Sequence, residues 1–403
     1  MKRKIIAFIC VLIVAGLVLP PSAGAAPELS VDAKSAVIIE PTTGEVLFEQ
    51  NADERLPLAS VTKVMTILLI YDAISDGRIG WDDVVTVSDH AASMGGSQIF
   101  LEPNERQTVR DLTKSVVIAS ANDAAVAMAE FVAGSEESFV SMMNKRAGEL
   151  GMKNSSFRNA CGLDADGHFS SARDVAVMSR ELVNLHPEVR KLSSIWQDQI
   201  THKTARGESV FGLTNTNKLL KQYGGAEGLK TGSTSKALYC LSGLARRGEM
   251  SLIAVVLASP SPTVRFGEVS RMFDYGFANF ALSEGIPVGT TVGTVRVNKG
   301  QREEIDVVVK NAINAVTPKG AAGELDKEII IYDSLDAPVL AGHKAGEIKY
   351  SLNGQNVGTS DLTVVEDVRK VNIYDVFDRL PRLWFHPARA KAEVTADEEP
   401  KAE

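Results

Sequence analysis

Two hydrophobic periods alternate along the chain. Ser35-Ala36-Val37-Ile38-Ile39 and Glu45-Val46-Leu47-Phe48 are short apolar runs on either side of Pro41-Thr42-Thr43-Gly44, which predicts a strand hairpin closed by a turn. Leu56-Pro57 places a breaker before a largely apolar run over 64–70, which reads as a buried helix. From 72 to about 192 the pattern is mostly helical. Residues 110–133 carry Leu112, Val116, Val117, Ile118, Val126, Met128 and Phe131 among alanines, interrupted by the polar patch Ser120-Ala121-Asn122-Asp123. Residues 143–150 and 172–185 are further helix candidates, the second opened by Ser170-Ser171. After Asn217 the period becomes strand-like, in the stretch into Gly228-Leu229-Lys230 and over 237–244 and 252–258. Residues 264–282 then form an amphipathic helix with Val269, Met272, Phe273, Phe277 and Phe280 on one side. This order predicts an α+β domain whose sheet joins the two ends of the domain around a helical insert.

Gly285-Ile286-Pro287-Val288-Gly289 marks a boundary, so the first domain spans 26–284. Short strand-like runs over 292–297, 305–309, 328–332, 347–352 and 362–365, separated by Gly, Asn and Pro turns, predict a small all-β module over 285–371. Over 372–392, Ile373, Tyr374, Val376, Phe377, Leu380, Leu383, Trp384 and Phe385 recur near helical spacing among arginines, with Pro381 as a break or kink. Such a segment either lies in a membrane interface or packs on its own domain. Residues 393–403 are acidic and polar and read as disordered.

The amino terminus is a targeting signal. Lys2-Arg3-Lys4 precedes an apolar run over 5–19, and Ala23-Gly24-Ala25 is a small-x-small cleavage site, so residues 1–25 read as a secretory signal peptide. The 403-residue chain has net charge −8, which provides no basic footprint for nucleic acid. Beyond the signal only Cys161 and Cys240 remain, without C-x-x-C spacing, and two separate buried thiols are expected rather than a disulfide. The histidines are scattered without H-E-x-x-H, so no metal is implied, and His168 reads as a structural hydrogen-bonder. Asp164, Asp166 and Gly167 read as a turn, and Glu102 and Glu105 as loop-shaping groups.

The chemistry centres on Ser60-Val61-Thr62-Lys63. The i, i+3 spacing puts a hydroxyl and an amine on one helix face. An amine that has lost its charge can deprotonate a serine, and apolar neighbours such as Val64, Met65 and Ile67 favour that loss. Ser120-Ala121-Asn122 and Lys230-Thr231-Gly232 follow in order, the second read as the start of a strand before Leu238-Tyr239-Cys240-Leu241. Each triplet alone is weak, as the decoy Ser351-Leu352-Asn353 shows. The ordered set is the one described for β-lactamases and penicillin-binding proteins, with Ala121 where class A β-lactamases prefer Asp.

With these motifs, and with Gly96-Ser97, Leu101-Glu102-Pro103-Asn104-Glu105, Gly162-Leu163-Asp164-Ala165-Asp166-Gly167 and Asn215-Thr216-Asn217, the chain resembles the low-molecular-weight penicillin-binding proteins that act as D-alanyl-D-alanine carboxypeptidases. The resemblance covers about 36–371. It implies a transpeptidase-like domain, an antiparallel sheet flanked by helices, followed by the small all-β domain. It also implies an exported enzyme held at the outer face of the membrane by residues 372–392, with no cofactor. Its substrates would be peptidoglycan stem peptides ending in D-Ala-D-Ala, with β-lactams as covalent inhibitors.

By that resemblance Ser60 is the nucleophile, Lys63 the general base, Ser120 the relay to the departing D-alanine and Asn122 the group that orients Lys63 and a substrate amide. Lys230 supplies positive charge that drives Lys63 toward neutrality. Thr231 and Arg265 would bind the terminal carboxylate, with Gly232 in the same binding strand, and the backbone N–H groups of Ser60 and Ser233 would hold the oxyanion. Two rivals stand beside this reading. A β-lactamase needs a deacylating glutamate, but Glu149-Leu150-Gly151-Met152-Lys153 has Lys where the E-x-x-L-N pattern needs Asn. A wall-binding protein without activity would not require Ser60, Lys63 and Lys230 together.

Overall fold

The computed structural model describes residues 29–375, apart from residues 205, 320–324 and 353. The signal expected over 1–25, the acidic tail and most of the segment expected over 372–392 lie outside the described residues. Two compact units divide the chain. The first runs up to Ala281 and takes back the stretch from Val316; the second holds Leu282–Ala315 and the residues from Ala322. The division is therefore not one cut at 284/285. The Val316 stretch belongs with the first unit because Lys319 donates from its N–H to Asn279 O (2.7 Å) and from Nζ to Phe277 O (2.6 Å).

In the first unit β1 (Ser35–Ile39) and β2 (Val46–Gln50) form the expected hairpin. With β7 (Ala226–Thr234), β8 (Leu238–Arg247) and β9 (Met250–Ser259) they make an antiparallel sheet of order β2-β1-β9-β8-β7. The helical insert comprises α1 (Lys63–Ser75), α2 (Asp89–Ala92), α3 (Val109–Lys114), α4 (Asn122–Ala133), α5 (Glu136–Glu149), α6 (Ala172–Leu185), α7 (Val189–Ser193) and α8 (Leu219–Gln222). The closing helix is α9 (Pro262–Asn279). Successive side chains of a strand face opposite ways. Ser242 of β8 thus meets Ser179 of α6 (Oγ to Oγ 2.8 Å), while Gly243 faces α9, where an added Cβ would lie 2.9 Å from Val269.

Every residue of α1 from Lys63 to Tyr71 is buried. A helix that is apolar all round belongs inside a domain, and each large side chain it buries contributes about 1.5–3 kcal/mol. The helix α6 begins where its cap predicts, with Ser171 Oγ accepting from Asp174 N.

One feature departs from the helical stretch expected over 72–192, and a second lies over 193–216, where no element was expected. β3 (Val84–Thr86) pairs with β4 (Arg106–Thr108), and β5 (Gln197–Thr204) forms a long hairpin with β6 (Gly207–Thr214). Three-residue strands are too short to show a period. β5 and β6 bury only Ile200, His202 and Leu213, so they carry little apolar alternation.

Between the units the chain forms β10 (Phe280–Glu284), paired with β13 (Asn314–Pro318). The second unit is all-β. β11 (Thr291–Asn298), β12 (Glu304–Val309), β14 (Asp326–Ile331), β15 (Ser334–Asp336), β16 (Lys344–Leu352) and β17 (Gln355–Val364) make a sheet of order β14-β16-β17-β12-β11-β15. Its core is Val295, Val297, Ile305, Val307, Ile348, Tyr350, Leu362 and Val364.

Candidate active site

Ser60 sits on a 3-10 turn, Ala59–Thr62, immediately before α1. Lys63 opens the helix and is fully buried. Its Nζ donates to Ser60 Oγ (3.0 Å), Asn122 Oδ1 (2.6 Å) and Cys161 O (2.6 Å). The amine therefore bridges Ser60, the second motif and a crossing loop. Burial is the main cause that lowers its pKa, to about 8, against the opposing pull of Cys161 and Asp123.

The second motif owes its place to a break in the helix. Residues Ser115–Ala119 form a π turn, Ser120 takes a left-handed conformation (φ 61°), and α4 restarts at Asn122. Ser120 and Asn122 are both buried. Asn122 is fixed from below: its N–H donates to Ser97 O (2.7 Å) and its Nδ2 to Gly95 O (2.7 Å). Its side-chain oxygen is thereby turned toward Lys63.

The third motif lies in the middle of β7, not at a strand start as its sequence context suggested. Lys230 is buried, and its Nζ donates to Thr231 O (3.0 Å). Burial first, then the nearby Lys63 and Arg265, holds its pKa well below the ordinary lysine value. Thr231 Oγ1 is 2.6 Å from Thr216 Oγ1. Asn217 Nδ2 donates to Gly228 O (2.9 Å), so Asn215-Thr216-Asn217 steadies the start of β7. Gly232 presses on the Ser60 turn. A Cβ there would stand 2.7 Å from Leu58 O and 2.9 Å from Ser60 N, so only glycine allows this approach. Ser233, next along β7, pairs with Tyr239 of β8.

Arg265, in the first turn of α9, is buried behind this strand. Its Nη1 donates to Gly232 O (3.1 Å) and Cys240 O (3.2 Å), and its guanidinium lies 4.5 Å from the Phe266 ring centroid. These contacts brace β7 and β8, while Nε has no hydrogen-bond partner.

A loop over 158–168 completes the site, and its role was only partly visible in the sequence. Thr62, Lys63 and Thr66 of the Ser60 turn and α1 each bond to it. Thr66 Oγ1 donates to Ala160 O (2.6 Å), Lys63 to Cys161 O, and Thr62 Oγ1 meets His168 Nε2 (2.8 Å). His168 Nδ1 accepts from Arg158 N (3.1 Å), so Nε2 carries the proton and donates to Thr62. Burial keeps this imidazole neutral, with a pKa of about 4. His168 is thus the structural hydrogen-bonder expected. Asp164 accepts from Thr234 Oγ1 (2.8 Å), consistent with a turn. At Gly162 (φ +88°) a Cβ would run into the Ala59 carbonyl and lie 2.9 Å from Ser60 N. Cys161 and Cys240 are separate buried thiols. Glu105 shapes its loop, accepting from Glu102 N (2.9 Å) and Gln107 Nε2 (2.7 Å).

The family profile for D-alanyl-D-alanine carboxypeptidase matches residues 22–261. The chain belongs to the D-alanyl-D-alanine carboxypeptidase family. Its second unit corresponds to the C-terminal domain of penicillin-binding protein 5, matched over residues 280–370. The D-alanyl-D-alanine carboxypeptidase DacF of Bacillus subtilis is 42% identical over 358 residues, covering 89% of this chain and 91% of the relative. Penicillin-binding protein 5 from Haemophilus influenzae superposes with a TM-score of 0.72 at 30% identity, over 86% of this chain and all of that one. Penicillin-binding protein D2 from Listeria monocytogenes, in an ampicillin-bound form, matches with a TM-score of 0.55 at 33% identity, over 62% of this chain and 100% of that one.

For a member of this carboxypeptidase family, the sequence motifs named Ser60, Lys63, Ser120, Asn122 and Lys230–Ser233. They gave no role to Thr62, Thr66 or Thr216 and did not name the Cys161 carbonyl. A main-chain acceptor has no residue-type signature. The glycine of Gly162-Leu163-Asp164 was the one available signal for a close backbone approach there.

Proposed function

We propose that the chain removes the terminal D-alanine from peptidoglycan stem peptides through an acyl-enzyme on Ser60. The observation that carries this reading is the 3.0 Å contact between Ser60 Oγ and the fully buried Lys63 Nζ. Neutral Lys63 takes the Ser60 proton as Oγ attacks the carbonyl between the two D-alanines. The backbone N–H groups of Ser60 and Ser233 hold the oxyanion, and each such donor is worth roughly 3–4 kcal/mol in serine hydrolases. As the tetrahedral species collapses, the proton passes through Ser120 to the departing amine and D-alanine leaves. Water then attacks the ester, releasing the shortened peptide and restoring the Ser60 hydroxyl.

The leaving carboxylate is assigned to Thr231, with Lys230 and Arg265 adding positive charge along β7. Asn122 holds Lys63 and meets the amide of the acyl portion. The burial of Lys230 supports this assignment, because a buried cation gains most from an anion placed beside it.

β-Lactams acylate the same serine, and their acyl-enzyme persists. Glu149, the nearest counterpart of a deacylating glutamate, is engaged by Lys145 (3.8 Å) and Arg146 (3.6 Å). The enzyme works outside the cytoplasm, and residues 372–392 hold it at the membrane. A chain ending at Val371 should leave the membrane fraction with its peptidase activity intact; continued pelleting removes this segment as the anchor.

The deciding measurement is D-alanine release from a stem-peptide mimic, with fluorescent penicillin labelling, in wild type and Ser60→Ala. Both signals should vanish in the variant. Rapid penicillin turnover by wild type would favour a β-lactamase. Absent labelling of wild type would favour a wall-binding protein without activity.

A further inference from the structure

Beside the catalytic groups stands a second feature that the chemistry above does not use. Phe100 is 63% exposed and holds a left-handed backbone (φ 61°). A lone exposed aromatic is ordinary. This one is held out by a buried clamp. The Asp123 carboxylate accepts from Ile99 N (3.1 Å) and Leu101 N (3.1 Å), the residues on either side of Phe100, and both flanking side chains are buried. The strained residue is therefore fixed from beneath, and strain of this kind gathers at ligand-binding positions.

The ring of Phe100 meets Phe211 of β6 edge-on at 6.0 Å, and Phe211 meets His202 of β5 at 5.5 Å. His202 is itself fixed by Glu105, Nδ1 to Oε1 2.7 Å. Phe100, Phe211 and His202 line a cleft of about 330 Å³ with Ile99, Thr204 and Ser209. Both segments that carry the aromatic rings run on to residues that support the site. The loop that carries Phe100 also supplies Gly95 O and Ser97 O, which hold Asn122. The strand that carries Phe211 runs on to Thr216, which touches Thr231.

We propose that this aromatic ledge binds the stem-peptide residues that precede the two D-alanines, so that Phe100 sets a preference for long over short substrates. The inference rests on the carboxypeptidase reading given above. With the leaving carboxylate at Thr231 and the acyl amide at Asn122, a peptide extended upstream next meets the loop bonded to Asn122. Asp123, which holds both neighbours of Phe100, directly follows Asn122 in α4, so the ledge is tied to the residue assigned to the acyl amide. An aromatic face there covers aliphatic stems and peptide planes of an extended chain.

The test compares a diacylated tripeptide ending in D-Ala-D-Ala with a full stem pentapeptide carried on its disaccharide. Phe100→Ala should lower kcat/KM for the long substrate about tenfold, mainly through KM, the scale expected when an aromatic face is lost. Phe100→Leu should retain most of that activity. Tripeptide hydrolysis and penicillin labelling should stay within about twofold of wild type. Equal loss on both substrates, or loss on neither, overturns the ledge; a change in oligomeric state without a change in substrate preference does so too. In wild type alone, the long tetrapeptide product should shift the Phe100 and Phe211 ring signals in a phenylalanine-labelled sample, and unshifted signals also overturn it. If wild type fails to release D-alanine from the tripeptide, the carboxypeptidase reading itself falls, which is a distinct result.

Discussion

The two units bury different things. In the second, the described buried side chains are apolar apart from Ser360 and Thr363, and none is charged. The first buries Lys63, Lys230, Arg265, Asp123, Glu40 and Asp174. Burying an ion is costly unless it is paired and hydrogen-bonded. The carboxylates meet that demand with local donors: Glu40 accepts from Thr42 N and Thr43 N, and Asp174 from Asn154 N and Ser155 Oγ. Lys230 is different. Among the described residues its Nζ hydrogen-bonds to a single carbonyl, and two other cations lie close by. The contrast separates buried charge satisfied by local donors from buried charge with few partners among the described residues.

The largest effect that tests this contrast is at Lys63. Lys63→Met should lower the rate of penicillin acylation by about 10³-fold, the scale of losing a general base, while thermal unfolding stays cooperative. Acylation at a wild-type rate would show that Lys63 belongs with the structural charges. Next comes pH. Lys63 acts as a base when neutral, and its pKa of about 8 is set first by burial. Below that value the protonated amine predominates, so acylation should fall by about tenfold per pH unit on the acid side. A rate flat between about pH 6 and 9 would exclude Lys63 as the base. The smallest effect lies in the second unit. Tyr350 is fully buried, and its hydroxyl accepts from Ile286 N (3.0 Å). Tyr350→Phe should cost about 1 kcal/mol of stability and leave D-alanine release unchanged. A loss of activity there would contradict a purely structural unit.

The sequence was most legible where a side-chain pattern does the specifying. The helix α6 runs over the expected residues because Ser171 caps it and its apolar side repeats. The strands β8 and β9 were visible as apolar runs. The three motifs were readable because the chemistry proposed for them needs particular side chains. What was hidden depends on the backbone or on few buried positions. The hairpin of β5 and β6 is mostly polar, so nothing in its pattern distinguished it from a loop. The place of Lys230 within β7 depends on pairing with β8, which begins only after the turn at 235–237. The return of the Val316 stretch to the first unit rests on contacts at Asn279 and Phe277 carbonyls, which no residue type announces.

The contact at Gly162 bears on how such a site evolves. Any side chain at that position meets the carbonyl of Ala59 and displaces the turn that carries Ser60. Beyond Gly162 the loop opens, and Leu163 and Asp164 reach solvent before His168 anchors it again. Drift in the fate of the acyl group has a narrow entrance. Natural or selected variants that gain faster hydrolysis should accumulate at residues 163–167, while position 162 stays glycine across them.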